Sequence, residues 1–184
     1  MNKKLVSIEE LDAREIKKLV NLAKKFKTNN KISTKTIRNK TLALIFQKPS
    51  TRTRLSFEVA MRELGGNSIF LSYADLQLSR GELIKDTAKT LSQYVDIVVI
   101  RTFNNSDILE FAENSSIPVI NALSNTNHPC QALSDIQTII ENKKNIQNLN
   151  ISWIGDSNNV FNDFMIASLK LGANFSVSCP KRYF

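Results

Sequence analysis

Short apolar runs of four to six residues alternate with helical stretches of about ten along most of the chain, and that alternation leaves few folds open. Residues 41–46 (TLALIF), 68–71, 97–100 (IVVI) and 118–121 read as strands. Residues 51–64, 83–94, 107–114 and 130–141 read as helices, the first ending at Gly65-Gly66. Strands that are apolar throughout, rather than at every second position, belong in the middle of a sheet with both faces covered. With helices between them, the expected class is α/β, a parallel sheet flanked by helices.

The two ends modify this pattern. Ser7-Ile8-Glu9-Glu10 reads as a capping box, and Ile8, Leu11, Ile16, Leu19, Leu22, Ala23 and Phe26 then recur at helical spacing to about Lys27. Residues 28–40 are polar and basic, a loop or a short helix. Residues 142–150 (NKKNIQNLN) form a polar connector, so domains at 1–141 and 142–184 are expected. After the connector a strand (151–154), a Gly155-Asp156 turn, a helix (159–171) with Gly172 as its C-cap, and a strand (175–178) form one β-α-β unit. By itself such a unit cannot close a core, and it reads as a second domain cut short.

Composition excludes several classes. No apolar run approaches the roughly 20 residues of a membrane span, and the N-terminus has no apolar segment long enough for a signal peptide. Cys130 and Cys179 show neither a pairing nor a metal-ligand spacing, which fits a cytoplasmic protein. The net charge of +8 is concentrated in residues 1–48, with 13 basic and 4 acidic side chains. Nucleic acid would suit a basic end, but the lysines decorate the polar side of one helix without interleaved aromatics. The preferred reading is a solvated face, with neither nucleic acid nor membrane as partner.

Three places carry chemistry. Ser50-Thr51-Arg52-Thr53-Arg54 stands between a strand and a helix, where free backbone N–H groups and the helix dipole attract anions; hydroxyls and guanidinium forks add donors for phosphate oxygens. The same residues also suit a plain helix cap with solvent-facing arginines. No Walker loop is present. His128-Pro129-Cys130-Gln131 follows a strand and precedes a helix, on the sheet edge where ligands of open α/β folds bind. His128 is the only histidine, which argues against a metal site, and Cys130 suits a small helix-start residue better than a nucleophile. Arg101 ends a strand at that same edge, as a site residue or a surface ion-pair partner. Gly155-Asp156-Ser157-Asn158-Asn159 lacks dinucleotide spacing and by itself indicates a loop and an N-cap.

Together, PSTRTRLSFEVAMRELGG, RGELIKDTA, VIRTF, HPCQAL and WIGDSNN resemble the aspartate/ornithine carbamoyltransferase family in order and spacing. Gln77 with Leu78-Ser79-Arg80-Gly81-Glu82, the Asp86-Thr87 pair, and Asp156 with Asn158-Asn159 are similar to the ornithine-type, anabolic members. An aspartate-type enzyme is the runner-up. The resemblance implies a carbamoyl-phosphate-binding domain followed by the start of a Rossmann-like ornithine-binding domain. It implies that Ser50, Thr51, Arg52 and Thr53 hold the phosphate and that Arg101 bridges phosphate and carbonyl oxygen. His128 would donate to that oxygen, with Pro129, Cys130 and Gln131 around the carbamoyl NH2. Gln77 would reach a neighbouring subunit's site in a homotrimer, and Asn159 would meet ornithine. Arg52, Thr53, Arg101 and His128 become the catalytic group, with no metal and no organic cofactor.

The sequence also departs from the family. Asn162-Asp163 stands where relatives often have His-Ser, and Ala122 where they often have Gly. The family's later ornithine-binding segments do not follow Phe184, so half an active site is expected. An inactive binding or assembly module is therefore the alternative function.

Overall fold

In the computed structural model, which describes residues 4–28 and 35–183, the predicted alternation is present as thirteen regular elements. In chain order these are β1 (Lys4–Leu5), α1 (Ala13–Thr28), β2 (Thr41–Phe46), α2 (Thr51–Glu63), β3 (Asn67–Ser72), α3 (Ile84–Tyr94), β4 (Ile97–Arg101), α4 (Asn105–Asn114) and β5 (Val119–Leu123). There follow α5 (Pro129–Lys143), β6 (Asn150–Ile154), α6 (Asn159–Lys170) and β7 (Asn174–Ser178). By their contacts the described residues form two units, one of residues 4–6 and 35–124, the other of 7–28 and 125–183.

The first unit is a five-stranded, wholly parallel sheet in the order β1-β5-β4-β2-β3. Side-chain alternation along β2 explains both of its cores. Ala43 and Ile45 point to one face, where Val98, Ile100 and Val119 join Ala88 of α3 and Ile108 and Phe111 of α4. Leu42, Leu44 and Phe46 point to the other, where Val99 and Ala122 meet Phe57 and Met61 of α2. Each large apolar side chain buried this way contributes about 1.5–3 kcal/mol. The turn from α2 into β3 needs Gly66, because a Cβ there would lie 2.6 Å from Met61 Cε and 2.9 Å from the Lys40 carbonyl.

In the second unit α5 packs on both α1 and α6, and β6 pairs with β7 in parallel. The β-α-β segment thus finds partners within its own unit. Trp153, Phe161, Phe164 and Phe175 interlock between its strands and α6, with ring centroids 5.3–6.5 Å apart. Gly172 follows the end of α6 at φ 84°, the left-handed position that lets the Ala173 N–H return to the Ser168 carbonyl at 3.0 Å.

The N-terminal capping box is corrected. Ser7 Oγ accepts from the N–H of Glu9, not Glu10, and caps only a single 3-10 turn, Ile8–Glu10. The chain is extended at Leu11, and α1 starts after Asp12. Asp12 Oδ1 accepts from Arg14 and Glu15 N–H at 2.7 and 2.8 Å, while Glu15 Oε2 accepts from the Asp12 N–H at 2.9 Å. A carboxylate accepting two amides is the stronger cap, so Asp12-x-x-Glu15 fixes the helix start. Of the polar stretch 28–40, residues 35–39 form a turn, and 29–34 lie outside the described residues. Among the described residues no helix is long and apolar enough to cross a membrane.

Candidate active site

The sequence-predicted residues fall in both units. In the first, the carboxyl ends of β2 and β4 are fastened together by Gln47. Its N–H donates to the Arg101 carbonyl at 2.8 Å, and its Oε1 accepts from Thr102 Oγ1 and the Phe103 N–H at 2.5 and 3.3 Å. Three residues later the chain enters α2 through Ser50, whose extended backbone (φ −162°, ψ 116°) and side chain make it the N-cap. Ser50 Oγ accepts from the Thr53 N–H at 3.3 Å and donates to Thr53 Oγ1 at 2.9 Å.

Here the cap reading and the anion reading are compatible, because the cap satisfies one helix amide and leaves others for a ligand. No acid occupies the first turn of α2. Thr51 and Arg52 are exposed, and Arg52 makes no ion pair with any described residue. Arg54 is committed elsewhere: its Nε donates to Glu58 at 2.9 Å, and its guanidinium lies 3.8 Å from the Phe70 ring centroid. Of the two arginines, then, only Arg52 is available to an anion.

Arg101 lies at the same sheet edge, paired in register with Phe46. Its Nε donates to the Lys48 carbonyl at 3.1 Å, which ties the guanidinium to the segment leading into Ser50. Burial pushes its pKa below the usual arginine value, yet an arginine remains charged in a protein. A partly dehydrated cation anchored through one nitrogen is well prepared to bind an oxyanion with the others. Gln77 is exposed on a 3-10 turn, Gln77–Arg80, and its carbonyl accepts from the Glu82 N–H at 3.1 Å.

In the second unit His128 is the N-cap residue of α5 and Pro129 takes the first helical position, where a missing N–H does no harm. The His128 carbonyl accepts from the N–H groups of Gln131 and Ala132, both at 3.1 Å, and its own N–H donates to Asp163 Oδ2 at 2.6 Å. Gln131 donates Nε2 to Asp135 Oδ1 at 2.9 Å, one turn along α5. Burial and the negative charge of Asp163 push the Cys130 thiol up to about 12, so it is inert as a nucleophile at neutral pH. Asn159 opens α6, whose N-cap, Asn158, accepts from the N–H groups of Val160 and Phe161 at 3.0 and 3.1 Å.

Three residues that matter to this geometry were not legible as site residues: Gln47, Asp135 and Asp163. Asp163 carried a signal, being the one acid in residues 157–184 and flanked by the apolar side chains of α6. It is fully buried, and burial raises its carboxyl above the ordinary range while hydrogen bonds from Ile8, Asn127, His128 and Ser7 pull it back.

Comparison with known proteins adds to this geometry. The family model for the aspartate/ornithine carbamoyltransferase carbamoyl-P binding domain matches residues 3–141. The ornithine carbamoyltransferase of Thermococcus kodakarensis is 48% identical over 181 residues, which cover 97% of this chain and 58% of the relative. The solved ornithine carbamoyltransferase from Pyrococcus furiosus superposes with a TM-score of 0.94 at 47% identity, over 99% of this chain and 59% of that one. The catalytic subunit of M. jannaschii aspartate transcarbamoylase is also similar, with a TM-score of 0.86 at 32% identity, over 98% and 61% of the two chains. The chain therefore spans about three fifths of the length of these relatives.

Proposed function

Because the chain belongs to the aspartate/ornithine carbamoyltransferase family, we propose that it carries the carbamoyl-phosphate half of an ornithine carbamoyltransferase. The reaction is transfer of the carbamoyl group from carbamoyl phosphate to ornithine, giving citrulline and phosphate. The observation that carries this reading is the start of α2: a capped helix N-terminus free of acids, an uncommitted Arg52, and Arg101 anchored at the same sheet edge. Ornithine is preferred over aspartate as acceptor because the curated relatives named for ornithine are 44–49% identical and the solved ornithine enzymes 34–47%, against 32% for the aspartate enzyme.

In this mechanism Ser50, Thr51, Arg52 and Thr53 hold the phosphate. Arg101 contacts phosphate and carbonyl oxygen, and His128 donates to that oxygen. Gln131 takes the carbamoyl NH2, with Pro129 and Cys130 beside it. The uncharged side-chain amine of ornithine, bound near Asn159, attacks the carbonyl carbon, forming a C–N bond and placing negative charge on the carbonyl oxygen. Collapse breaks the bond between the carbonyl carbon and the phosphate oxygen, and the proton on the attacking nitrogen passes to the departing phosphate. Donors already aimed at both growing charges lower the barrier, and juxtaposing the substrates removes much of the entropic cost. Carbamoyl phosphate is a mixed anhydride whose phosphate is already an activated leaving group, and no electron changes hands, so the chemistry calls for neither metal nor organic cofactor.

On this reading residues 1–141 are the carbamoyl-phosphate-binding domain and 142–184 the connector and beginning of the ornithine-binding domain. The protein works in the cytoplasm as a homotrimer in which Gln77 serves a neighbouring subunit. Thermal denaturation with carbamoyl phosphate tests the phosphate site. The midpoint should rise with ligand in the parent and not in Arg52→Ala, and an unchanged parent midpoint at ligand well above millimolar overturns the assignment. A citrulline assay with both substrates tests the transfer itself.

A further inference from the structure

Two consecutive residues of α6 hold the turn that ends in His128. Asn162 Nδ2 donates to the Thr126 carbonyl at 2.9 Å. Asp163 accepts through Oδ1 from Asn127 Nδ2 at 3.2 Å and through Oδ2 from the His128 N–H at 2.6 Å. Oδ1 also accepts from the Ile8 N–H at 2.9 Å and Ser7 Oγ at 3.2 Å. Asn127 Nδ2 in turn reaches Ser7 Oγ at 3.2 Å, which closes the network on itself. A carboxylate buried to zero exposure survives only where its lone pairs are satisfied, and here donors from two separate segments, 7–8 and 127–128, converge on it.

We infer that Asn162 and Asp163 are positioning residues that clamp the 126–128 turn to the start of α6, fixing the backbone from which His128 projects relative to Asn159. Neither side chain touches substrate. The clamp spans the beginnings of two helices, α5 carrying His128 and Gln131 and α6 carrying Asn159, so it holds the carbamoyl-side donor and the ornithine-side residue in one frame. A carboxylate suits this task better than an amide, because every group aimed at it is a donor. An asparagine in its place would turn an NH2 toward at least one of them. The catalytic meaning of the clamp rests on the function proposed above for His128.

The test compares two probes that differ at the carbonyl end. Inorganic phosphate engages only the phosphate residues, whereas phosphonoacetamide, a stable isostere of carbamoyl phosphate, also presents a carbonyl and an NH2. Affinities are measured by calorimetry for the parent chain, Asp163→Asn and Asn162→Ala, with circular dichroism to confirm folding. Asp163→Asn should weaken phosphonoacetamide about tenfold while phosphate changes less than about twofold, and Asn162→Ala should move in the same direction by less. His128 is the only histidine, so its imidazole resonances can be followed without ambiguity. They and the downfield His128 amide proton should shift in Asp163→Asn. If that variant does not fold, Asn162→Ala carries the same comparison. Equal losses for both probes, or unshifted His128 resonances in a folded variant, overturn the clamp. A parent chain that binds neither probe overturns the phosphate-site reading instead, and the His128 resonances then decide the clamp independently.

Discussion

Gln131 turns its amide nitrogen onto Asp135, with Nε2 donating to Oδ1 at 2.9 Å, and this contact fixes which end of the amide remains for a ligand. A carboxylate only accepts, so the Gln131 oxygen is left facing away as an acceptor, the polarity a carbamoyl NH2 requires. Asp135→Ala releases the amide to rotate. The expected result is a several-fold weaker affinity for phosphonoacetamide with unchanged affinity for phosphate. Thermal stability should hardly move, since burial already raises the Asp135 carboxyl above its ordinary value and its loss relieves that desolvation. Equal binding of phosphonoacetamide by variant and parent would show that the Gln131 orientation is irrelevant.

Ser50 and Arg52 separate the structural and functional duties of the α2 start. Ser50 caps the helix, so Ser50→Ala should lower stability by about 1 kcal/mol and weaken phosphate binding as well. Arg52 is exposed and has no described ion-pair partner, so Arg52→Ala should leave the ligand-free midpoint in place and abolish most of the ligand-induced rise. Denaturation curves with and without phosphate read both effects. A drop in the ligand-free midpoint of Arg52→Ala as large as that of Ser50→Ala would contradict the division.

The strands most readable from sequence were those whose residues all obey one rule. From Leu42 to Phe46 every residue is apolar because both faces of β2 are covered, and the observed bounds of β2, Thr41–Phe46, are those expected. The fifth strand was expected at 118–121 and runs Val119–Leu123, since Asn121 looks like a strand end. It is instead fully buried, with Nδ2 donating to the Val6 carbonyl at 2.9 Å. The two-residue β1, Lys4–Leu5, has no periodicity to read and exists only through its pairing with Val119 and Ile120. The same division holds at the site. Ser50–Thr53, Arg101 and the His128 turn were legible because strand-to-helix edges announce themselves locally. Asp163 lies 35 positions from His128 and 155 from Ile8, so its role emerges only when the chain is folded.

Cys130 and Cys179 should differ sharply toward thiol reagents. With its thiol pushed up to about 12 by burial and the Asp163 charge, Cys130 is ionised to only about one part in 10⁴ at pH 8. A disulfide reagent at that pH should therefore label one thiol per folded chain, Cys179, and the second only after denaturant is added. Cys130→Ala should leave phosphate binding unchanged within about twofold, because the residue contributes packing and no chemistry. Rapid labelling of both thiols in the folded protein would refute the protonated state of Cys130.

Asp163 also predicts how stability responds to pH, and the sign follows from the direction of its shift. Burial raises its folded-state pKa above the ordinary 3.8, with donors from Ile8, Asn127, His128 and Ser7 only partly offsetting it. In that window the folded chain keeps a proton the unfolded chain has lost. This group's contribution is therefore fully present below about pH 4 and is lost as pH rises through its folded-state value. Asp135, also raised by burial, acts in the same direction. Asp96 opposes them. Lys40 Nζ at 2.7 Å and the Thr41 N–H at 2.9 Å lower its pKa, so its contribution is present above the unfolded value and is lost on acidification. The parent's profile mixes these with the lowered carboxyls of Asp12 and Glu141, but Asp163→Asn removes one titration and leaves the others in place. Thermal midpoints of parent and variant are to be compared between about pH 4 and pH 7. The variant's lost hydrogen bonds set the height of the difference curve, and the Asp163 titration sets its slope. The variant should gain on the parent as pH rises, and a difference that is flat or runs the other way would show that Asp163 is fully ionised across that range.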